Sequence, residues 1–264
     1  MIGGEDQRGT RGLLEEPVEI AILDYGMGNR RSVEKALEHI GASVAITSDH
    51  GRLRAAAGLV VPGVGAFPRG MASLRELGLD ELVRERVAHG TPVLGICLGM
   101  QLAFERSTEQ GGTPGLGLIA GVVRELPRAR APFGARPEGH TQMAHSKHPE
   151  GHTLQGASRQ AGGLGELKLP HIGWNEVTFT GSSPLTEGLP ERCAFYHVHS
   201  FAPVPTARED ILGTSVYGAP FASVVGHESF YGVQFHPEKS SAAGLRLLAN
   251  FARICARSAV TVAS

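Results

Sequence analysis

The stretch that decides the fold is Thr91-Pro-Val-Leu-Gly-Ile-Cys-Leu-Gly-Met-Gln-Leu-Ala-Phe104. Its apolar run from Val93 to Ile96 predicts a buried strand of a parallel sheet. The residues from Met100 to Phe104 favour a packed helix. Between the two lies Gly95-Ile-Cys97-Leu-Gly99, in which a glycine stands two places on either side of the cysteine. This spacing is typical of a nucleophile elbow, a tight strand-to-helix turn that leaves no room for bulky neighbours.

Cys97 at such a turn has the chemistry of a nucleophile. A helix that begins at the next residue directs its free N–H groups and the positive end of its dipole at the sulfur, which stabilises a thiolate. The N–H of Leu98 is then placed to donate to an oxyanion. The alternative is that Cys97 is a small apolar residue buried behind a hydrophobic strand, and the pattern alone leaves both interpretations open.

Composition is that of an ordinary globular protein of one large domain or two small ones, with 264 residues of which 41% are hydrophobic and 19% charged. With a net charge of −1, the protein has no general positive potential that would attract nucleic acid or anionic membranes. No stretch approaches the roughly 18 apolar residues of a membrane span. Residues 1–16 lack the apolar core of a signal peptide and are expected to form a flexible tail.

The three cysteines are Cys97, Cys193 and Cys255. Their odd number and lack of paired spacing argue against a disulfide framework and against a cysteine-based metal site. They favour a reducing compartment and therefore a cytoplasmic location. Cys193 and Cys255 are expected in the hydrophobic core.

Strands and helices alternate in the first half of the chain. Strands are expected at 18–23, 44–46 and 58–61, with helices at 32–40 and 79–89. This alternation predicts an α/β fold with a mostly parallel, doubly wound sheet, in which ligands bind beyond the carboxyl ends of the strands. Gly26 and Gly28 follow the first strand, but without a third glycine and a following acid they do not make a dinucleotide site.

The second half predicts added short strands at 172–179, 194–201, 212–217, 222–227 and 230–235, and a closing helix at 244–257. Between the halves, residues 127–166 are rich in glycine, proline and histidine. His140, His145, His148 and His152 have no cysteine or carboxylate at metal-ligand spacing, so a disordered insertion is expected in preference to a metal site. The predicted domain covers 17–257, with a C-terminal tail at 258–264.

His236 and Glu238 are the second half of the predicted chemistry. Gly232-Val-Gln-Phe-His236-Pro-Glu238 places a histidine at the end of a strand and an acid two residues later, on the same side of an extended segment. The carboxylate can then set the tautomer of the imidazole and hold the ring toward Cys97. In an α/β-hydrolase the acid precedes the histidine on a separate loop, so this order argues against an esterase or lipase.

The loop Pro62-Gly-Val-Gly65 follows another strand end. Two glycines let the backbone approach a ligand and turn an N–H inward. They also suit an ordinary turn. Opposite a cysteine elbow, the N–H of Val64 becomes a candidate second donor to the oxyanion.

With these motifs the chain resembles the class I, triad-type glutamine amidotransferases, and among them the glutaminase subunits of imidazole glycerol phosphate synthases. The resemblance runs from about residue 18 to residue 257, interrupted by the insertion. The narrower similarity rests on five further segments. They are Asp24-Tyr-Gly-Met-Gly-Asn29, Pro62-Gly-Val-Gly-Ala-Phe67, Lys168-Leu-Pro-His-Ile-Gly-Trp-Asn175, His197-Val-His-Ser200 and Gly232-Val-Gln-Phe-His-Pro-Glu-Lys-Ser240.

The resemblance implies a flavodoxin-like fold, a Cys97–His236–Glu238 triad, hydrolysis of glutamine and no metal or organic cofactor. It implies a heterodimer with a (β/α)8-barrel cyclase, which receives ammonia and carries the phosphorylated substrate. Asn29 and Trp174 are implied to face that partner. The implied glutamine-binding residues are Gly63, Gly65, Gln101, Ser200 and Phe201. Phe201 stands where the family usually has tyrosine, which leaves backbone contacts intact but removes any role of a hydroxyl.

Three alternatives stay open on the sequence. The chain resembles, less closely, the glutaminase subunits that serve anthranilate, aminodeoxychorismate or pyridoxal phosphate synthesis. A stand-alone cysteine hydrolase or redox protein on a similar sheet is the second alternative. A non-enzymatic binding module is the third, and the intact Cys97, His236 and Glu238 argue against it.

Overall fold

The computed structural model of the chain describes residues 18–128 and 167–263, with side chains described as far as residue 259. The predicted N-terminal tail at 1–16 and nearly all of the predicted insertion at 127–166, with its four histidines, lie outside the described residues. The backbone on either side of the insertion is joined by a hydrogen bond from the Leu167 N–H to the Arg128 carbonyl, at 2.7 Å.

The described residues form thirteen strands, six α-helices and four short 3-10 helices. The strands are β1 (Glu19–Leu23), β2 (Ser43–Thr47), β3 (Gly58–Gly63), β4 (Val93–Cys97), β5 (Phe104–Ser107), β6 (Thr113–Pro114), β7 (Ile119–Glu125), β8 (His171–Phe179), β9 (Arg192–His199), β10 (Phe201–Pro205), β11 (Ile211–Tyr217), β12 (Ala219–His227) and β13 (Phe230–Val233). The α-helices are α1 (Arg30–His39), α2 (His50–Ala55), α3 (Phe67–Glu76), α4 (Leu79–Ala88), α5 (Leu98–Leu102) and α6 (Ser241–Ala263). The 3-10 helices are Glu109–Gly111, Pro184–Thr186, Arg208–Asp210 and Pro237–Lys239.

A nine-stranded sheet in the order β2-β1-β3-β4-β13-β12-β11-β8-β9 is the centre of the fold. Strands β2, β1, β3, β4 and β13 pair in parallel, and β12, β11, β8 and β9 extend the sheet with antiparallel pairs. A second sheet, in the order β10-β7-β5-β6, lies beside it. The predicted parallel sheet with added antiparallel strands is confirmed.

Helices cover both faces of the large sheet, and the side chains of β1 alternate between these two faces. Ala21 and Leu23 point to the side packed by α3 and α4, while Ile20 and Ile22 point to the side packed by α1 and α6. Residues two apart in a strand share a face, so each strand contributes to both cores. This arrangement buries the parallel strands and leaves their carboxyl ends as the open edge.

The register at that edge decides which residues meet. Gly63 of β3 pairs with Cys97 at the end of β4, and Val233 of β13 pairs with Ile96 on the other side of β4. The segment that carries His236 and Glu238 therefore emerges next to Cys97, although 139 positions separate Cys97 and His236 in the chain. The loop after β1, which contains Asn29, lies one strand beyond β3.

Three predicted elements differ from the structure. The helix expected to run to Phe104 ends at Leu102, where the N–H groups of Leu116 and Leu118 bond the carbonyls of Leu102 and Ala103 at 2.8 Å. The second sheet begins directly afterwards, with β5 at Phe104. The strand predicted at 194–201 is two strands, β9 and β10, which join different sheets. The closing helix extends over Ser241–Ala263, beyond the predicted 244–257.

Some elements have no counterpart among the sequence-based predictions, namely α2, α3, the strands of the second sheet before the insertion, and the part of β10 after Phe201. Cys255 is fully buried as expected, and Cys193 on the edge strand β9 is partly buried and packs against the core. None of the described helices is long and apolar enough to cross a membrane.

Candidate active site

Cys97 occupies a strained turn between β4 and α5. Its backbone angles are φ 54° and ψ −105°, a region that costs a non-glycine residue on the order of 1–3 kcal/mol. The flanking glycines are required by close packing. A Cβ on Gly95 would lie 2.6 Å from the Gly99 carbonyl oxygen, and one on Gly99 would collide with the Val61 carbonyl oxygen. The predicted elbow is therefore present in the backbone geometry.

His236 and Glu238 are in direct contact behind the elbow. His236 Nδ1 lies 3.0 Å from Glu238 Oε1, and both side chains are buried. The segment between them is the 3-10 helix Pro237–Lys239, not the extended segment that the sequence predicted. The tight turn nevertheless brings the carboxylate back to the ring, so the predicted contact forms by a different backbone route.

Asn29 holds the same carboxylate from the loop after β1. Its Nδ2 donates to Glu238 Oε1 at 2.7 Å and lies 3.3 Å from His236 Nδ1. Because Nδ1–H donates to Glu238, the contact between the two nitrogens is one of packing and not a hydrogen bond. Glu238 Oε2 is buried and has no hydrogen-bond partner among the described residues.

The Cys97 sulfur is close enough to the His236 imidazole to affect the pKa of that ring, and it also lies 3.7 Å from the Val198 carbonyl oxygen and 3.7 Å from Gln234 Nε2. Burial acts to lower the pKa of the ring, but the hydrogen bonds to Cys97 and Glu238 and the negative charge of both groups outweigh it and raise this pKa to about 9. A ring that keeps its proton at neutral pH can deliver that proton to a leaving group.

A cavity of about 240 Å³ opens directly over Cys97. Its lining includes six residues that were predicted to bind glutamine or the oxyanion, namely Val64, Gly65, Leu98, Gln101, Ser200 and Phe201, together with Glu109, Val198 and His199. Leu98 is the first residue of α5, and Val64 is 40% exposed at the tip of the loop after β3. Gly65 has φ +121°, a conformation that side chains rarely adopt.

Gly63 lies beside this cavity and does not line it. It is the last residue of β3, next to Cys97, and a Cβ there would stand 2.5 Å from the hydroxyl of Tyr25. That hydroxyl donates to the Pro62 carbonyl at 2.6 Å. Tyr25 therefore fixes the start of the loop that carries Val64.

Glu109 is a site residue that the sequence analysis missed. It lines the cavity, and its Oε2 accepts from the Phe67 N–H at 2.8 Å. The residue belongs to the 3-10 helix Glu109–Gly111 between two short strands, where no motif distinguishes it from a surface acid. Only the position of the second sheet brings this carboxylate to the cavity over Cys97.

Trp174 and Asn29, implied to face a partner, lie in different surroundings. Trp174 of β8 is 55% exposed and packs edge-on against Tyr196, with ring centroids 6.1 Å apart. Asn29 is half-buried with its amide directed at Glu238. Among residues 18–128 and 167–263, no group of three or more histidine, cysteine or acidic side chains is arranged to hold a metal ion.

Comparison with known proteins adds the following similarities. The profile of the family "Glutamine amidotransferase class-I" matches residues 21–255. The chain is 42% identical over 235 residues to the imidazole glycerol phosphate synthase subunit HisH of Moorella thermoacetica, covering 89% of this chain and 94% of that protein. It is 45% identical over 238 residues to the protein of the same name from Methylococcus capsulatus, covering 89% and 95%.

Solved structures with the same fold are more distant in sequence. A protein from Thermoplasma acidophilum, described as part of a putative GMP synthase, superposes with a TM-score of 0.62 at 19% identity, covering 95% of this chain and all of that one. A structure described as a glutamine amidotransferase gives a TM-score of 0.59, also at 19% identity, covering 90% and 98%. At this identity they support the fold alone.

Proposed function

We propose, from the premise that this chain belongs to the class-I glutamine amidotransferase family, that it is the glutaminase subunit of imidazole glycerol phosphate synthase, as its curated relatives are named. The observation that carries the proposal is the strained Cys97 elbow within reach of a His236 ring that Glu238 orients. The reaction is the hydrolysis of glutamine to glutamate and ammonia.

In the first half-reaction the Cys97 thiolate attacks the side-chain amide carbon of glutamine and forms a tetrahedral adduct. The N–H groups of Leu98 and Val64 donate to its oxyanion. As the C–N bond breaks, His236 gives its proton to the departing nitrogen, which leaves as ammonia. The product on the protein is a γ-glutamyl thioester on Cys97.

In the second half-reaction His236, now neutral, takes a proton from water, and the resulting hydroxide attacks the thioester carbon. The C–S bond breaks, glutamate leaves, and the thiolate–imidazolium pair is restored. Glu238 accepts from Nδ1–H throughout, which keeps Nε2 directed at the sulfur. None of these steps requires a metal or an organic cofactor.

The cavity residues supply the contacts for the rest of the substrate. The Glu109 carboxylate is placed to hold the α-ammonium group, and Gln101 with the backbone of Gly63, Gly65, Ser200 and Phe201 to hold the remaining polar atoms. Phe201 takes part through its backbone, so the missing tyrosine hydroxyl is not needed. A carboxylate against an ammonium is a charge-assisted pair that distinguishes amino acids from simple amides.

The partner in this proposal is a (β/α)8-barrel cyclase that receives the ammonia and binds the phosphorylated substrate. Exposed apolar side chains on β8 and β11 support a docking face there, namely Ile172, Trp174 and Val216. Asn29, in the loop at the carboxyl end of β1, is proposed to face the partner as well. We further propose a cytoplasmic location, since all three cysteines are free thiols.

The test is to measure glutamate release from glutamine by the chain alone and with the cyclase and its substrate present. Cys97→Ala is expected to abolish glutamine-dependent turnover of the complex and to leave ammonia-dependent turnover intact. Glutamine-dependent turnover by Cys97→Ala, or activation by an anthranilate synthase component in place of the cyclase, contradicts the proposal.

A further inference from the structure

A line of hydrogen bonds runs behind the cavity, from β8 to the cavity wall. β8 and β9 pair with His171 opposite His199. His171 Nδ1 lies 3.1 Å from His199 Nε2, and His199 Nδ1 lies 2.9 Å from the Phe201 carbonyl oxygen. At the outer end, Asn175 Nδ2 lies 3.4 Å from His171 Nε2 and donates to the Val216 carbonyl at 3.0 Å.

The chemistry of the end groups sets the direction of this line. A carbonyl oxygen only accepts, so the His199 Nδ1 carries a hydrogen and its Nε2 is the acceptor. His171 must then donate from Nδ1, which leaves its Nε2 to accept from the Asn175 amide. Both rings are therefore neutral and have the same tautomer. A second proton on His199 would set two N–H groups against each other and break the line.

The surroundings hold both rings neutral and in place. Burial lowers the pKa of His171 to about 4 and, with the neighbouring histidines, that of His199 to about 3. His171 is stacked between Tyr217 and His197, with ring centroids 4.2 and 5.1 Å away. Tyr217 is itself anchored by a hydrogen bond from its hydroxyl to the Lys168 carbonyl, at 2.7 Å.

At the inner end the line reaches groups proposed to bind glutamine. The Phe201 carbonyl that His199 bonds also accepts from Gln101 Nε2 at 2.9 Å. The same Gln101 nitrogen lies 3.1 Å from Gln234 Oε1, and Gln234 Nε2 lies 3.7 Å from the Cys97 sulfur. The side chains of Gln101 and Gln234 are both buried. The Phe201 carbonyl orients the Gln101 amide, and the Gln101 amide in turn orients that of Gln234.

We propose that His199, oriented by His171, is a positioning residue for the substrate cavity. Its Nδ1–H fixes the Phe201 carbonyl, and this carbonyl in turn fixes the Gln101 amide. The inference rests on the proposed function only in taking glutamine as the substrate. The cavity wall at Phe201 is thus fixed by the neutral pair of His171 and His199, and not by the triad of Cys97, His236 and Glu238.

Kinetics of matched variants test this role. His199→Ala is expected to raise the KM for glutamine about tenfold, the effect of losing one buried hydrogen bond, and to change kcat and ammonia-dependent turnover less than twofold. His199→Asn is expected to restore most of the affinity, because the Asn Nδ2 occupies nearly the place of the imidazole Nδ1.

Asn250→Ala is the control for the general loss of a buried hydrogen bond. Asn250 is buried in α6 and does not line the cavity over Cys97, and its Nδ2 donates to the Leu185 and Glu187 carbonyls. This variant is expected to lower stability and to leave the KM unchanged. A wild-type KM in His199→Ala, an equal rise in Asn250→Ala, or a failure of His199→Asn to improve on alanine overturns the proposal.

Nitrogen-15 NMR of the unsubstituted chain gives a test that needs no activity and no variant to fold. The expected result is that His171 and His199 are both protonated on Nδ1, with a scalar coupling across the bond from His171 Nδ1 to His199 Nε2. Protonation on Nε2 of either ring overturns the proposal. If glutamine is not hydrolysed, the proposed function is wrong. The spectrum still shows whether the hydrogen bonds through His171 and His199 exist as proposed.

Discussion

The side-chain amide of Asn29 donates to Oε1 of Glu238 at 2.7 Å, the oxygen that also accepts from His236. The orientation of the His236 ring thus depends on a loop at the end of β1 as well as on the carboxylate two residues away. Asn29 is itself in a left-handed conformation, with φ 78°, which asparagine tolerates better than most residues. A short polar side chain and an unusual backbone angle are required at the same position.

Asn29→Ala is expected to lower kcat for glutamine hydrolysis about tenfold, since losing a donor to a buried carboxylate costs about 1.5 kcal/mol or more. Steady-state kinetics measure this. Arg31→Ala is the matched control and should behave as wild type, because Arg31 is exposed in the first turn of α1 and pairs only with Glu34 among the ion pairs of the described residues. Equal activity of the two variants would show that Glu238 does not need this donor.

Cys97→Gly should be more stable than Cys97→Ala, although both lose glutamine hydrolysis. Glycine adopts φ 54° and ψ −105° without the strain of about 1–3 kcal/mol that alanine retains, and its greater freedom in the unfolded chain offsets about 0.5–1 kcal/mol of this gain. Urea unfolding is expected to show a difference of roughly 1 kcal/mol. A more stable alanine variant would mean that the turn is not strained.

Gly99→Ala is expected to destabilise the protein by about 3 kcal/mol or more, because the new methyl group would collide with the backbone carbonyl of Val61 and neither β3 nor α5 can move away. Gly117→Ala is the control. Gly117, unlike Gly99, has a positive φ, of 67°, but it has open space around it, so only about 1–2 kcal/mol should be lost. Thermal unfolding of both variants compares them, and equal losses would argue against the close approach.

The His236 ring is expected to titrate near pH 9 by NMR, above its ordinary value of 6.5. Between pH 6.5 and about 9 the native state keeps a proton on His236 that the unfolded state has released. The contribution of His236 to the free energy of unfolding is therefore fully present below pH 6.5 and is lost as the pH rises to about 9. Glu238→Gln and Cys97→Ala should each lower the midpoint. A midpoint near 6.5 in the intact protein would exclude the thiolate–imidazolium pair.

Much of the site was predictable from local sequence. The glycines around Cys97 are required by contacts within one strand–turn–helix unit, so the motif carries the backbone geometry with it. The spacing of His236 and Glu238 is local in the same sense, although the connecting turn proved to be a 3-10 helix. The alternation of strands and helices likewise predicted a parallel sheet whose carboxyl ends hold the site.

Other features depended on which strands become neighbours. The order β3-β4-β13 brings Cys97 to His236, and the break between β9 and β10 turns the Phe201 carbonyl toward Gln101. Glu109 carries no local signal, because an isolated acid is equally compatible with a surface or a core position. His171 and His199 lie in segments that carry the family resemblance, but nothing local in those segments indicates that the two rings meet. Short-range patterns by themselves determined the elbow and the identity of the groups proposed to react. Only the tertiary structure decided the residues that orient them, because their hydrogen bonds join segments that are distant in the chain and meet only once the sheet has formed.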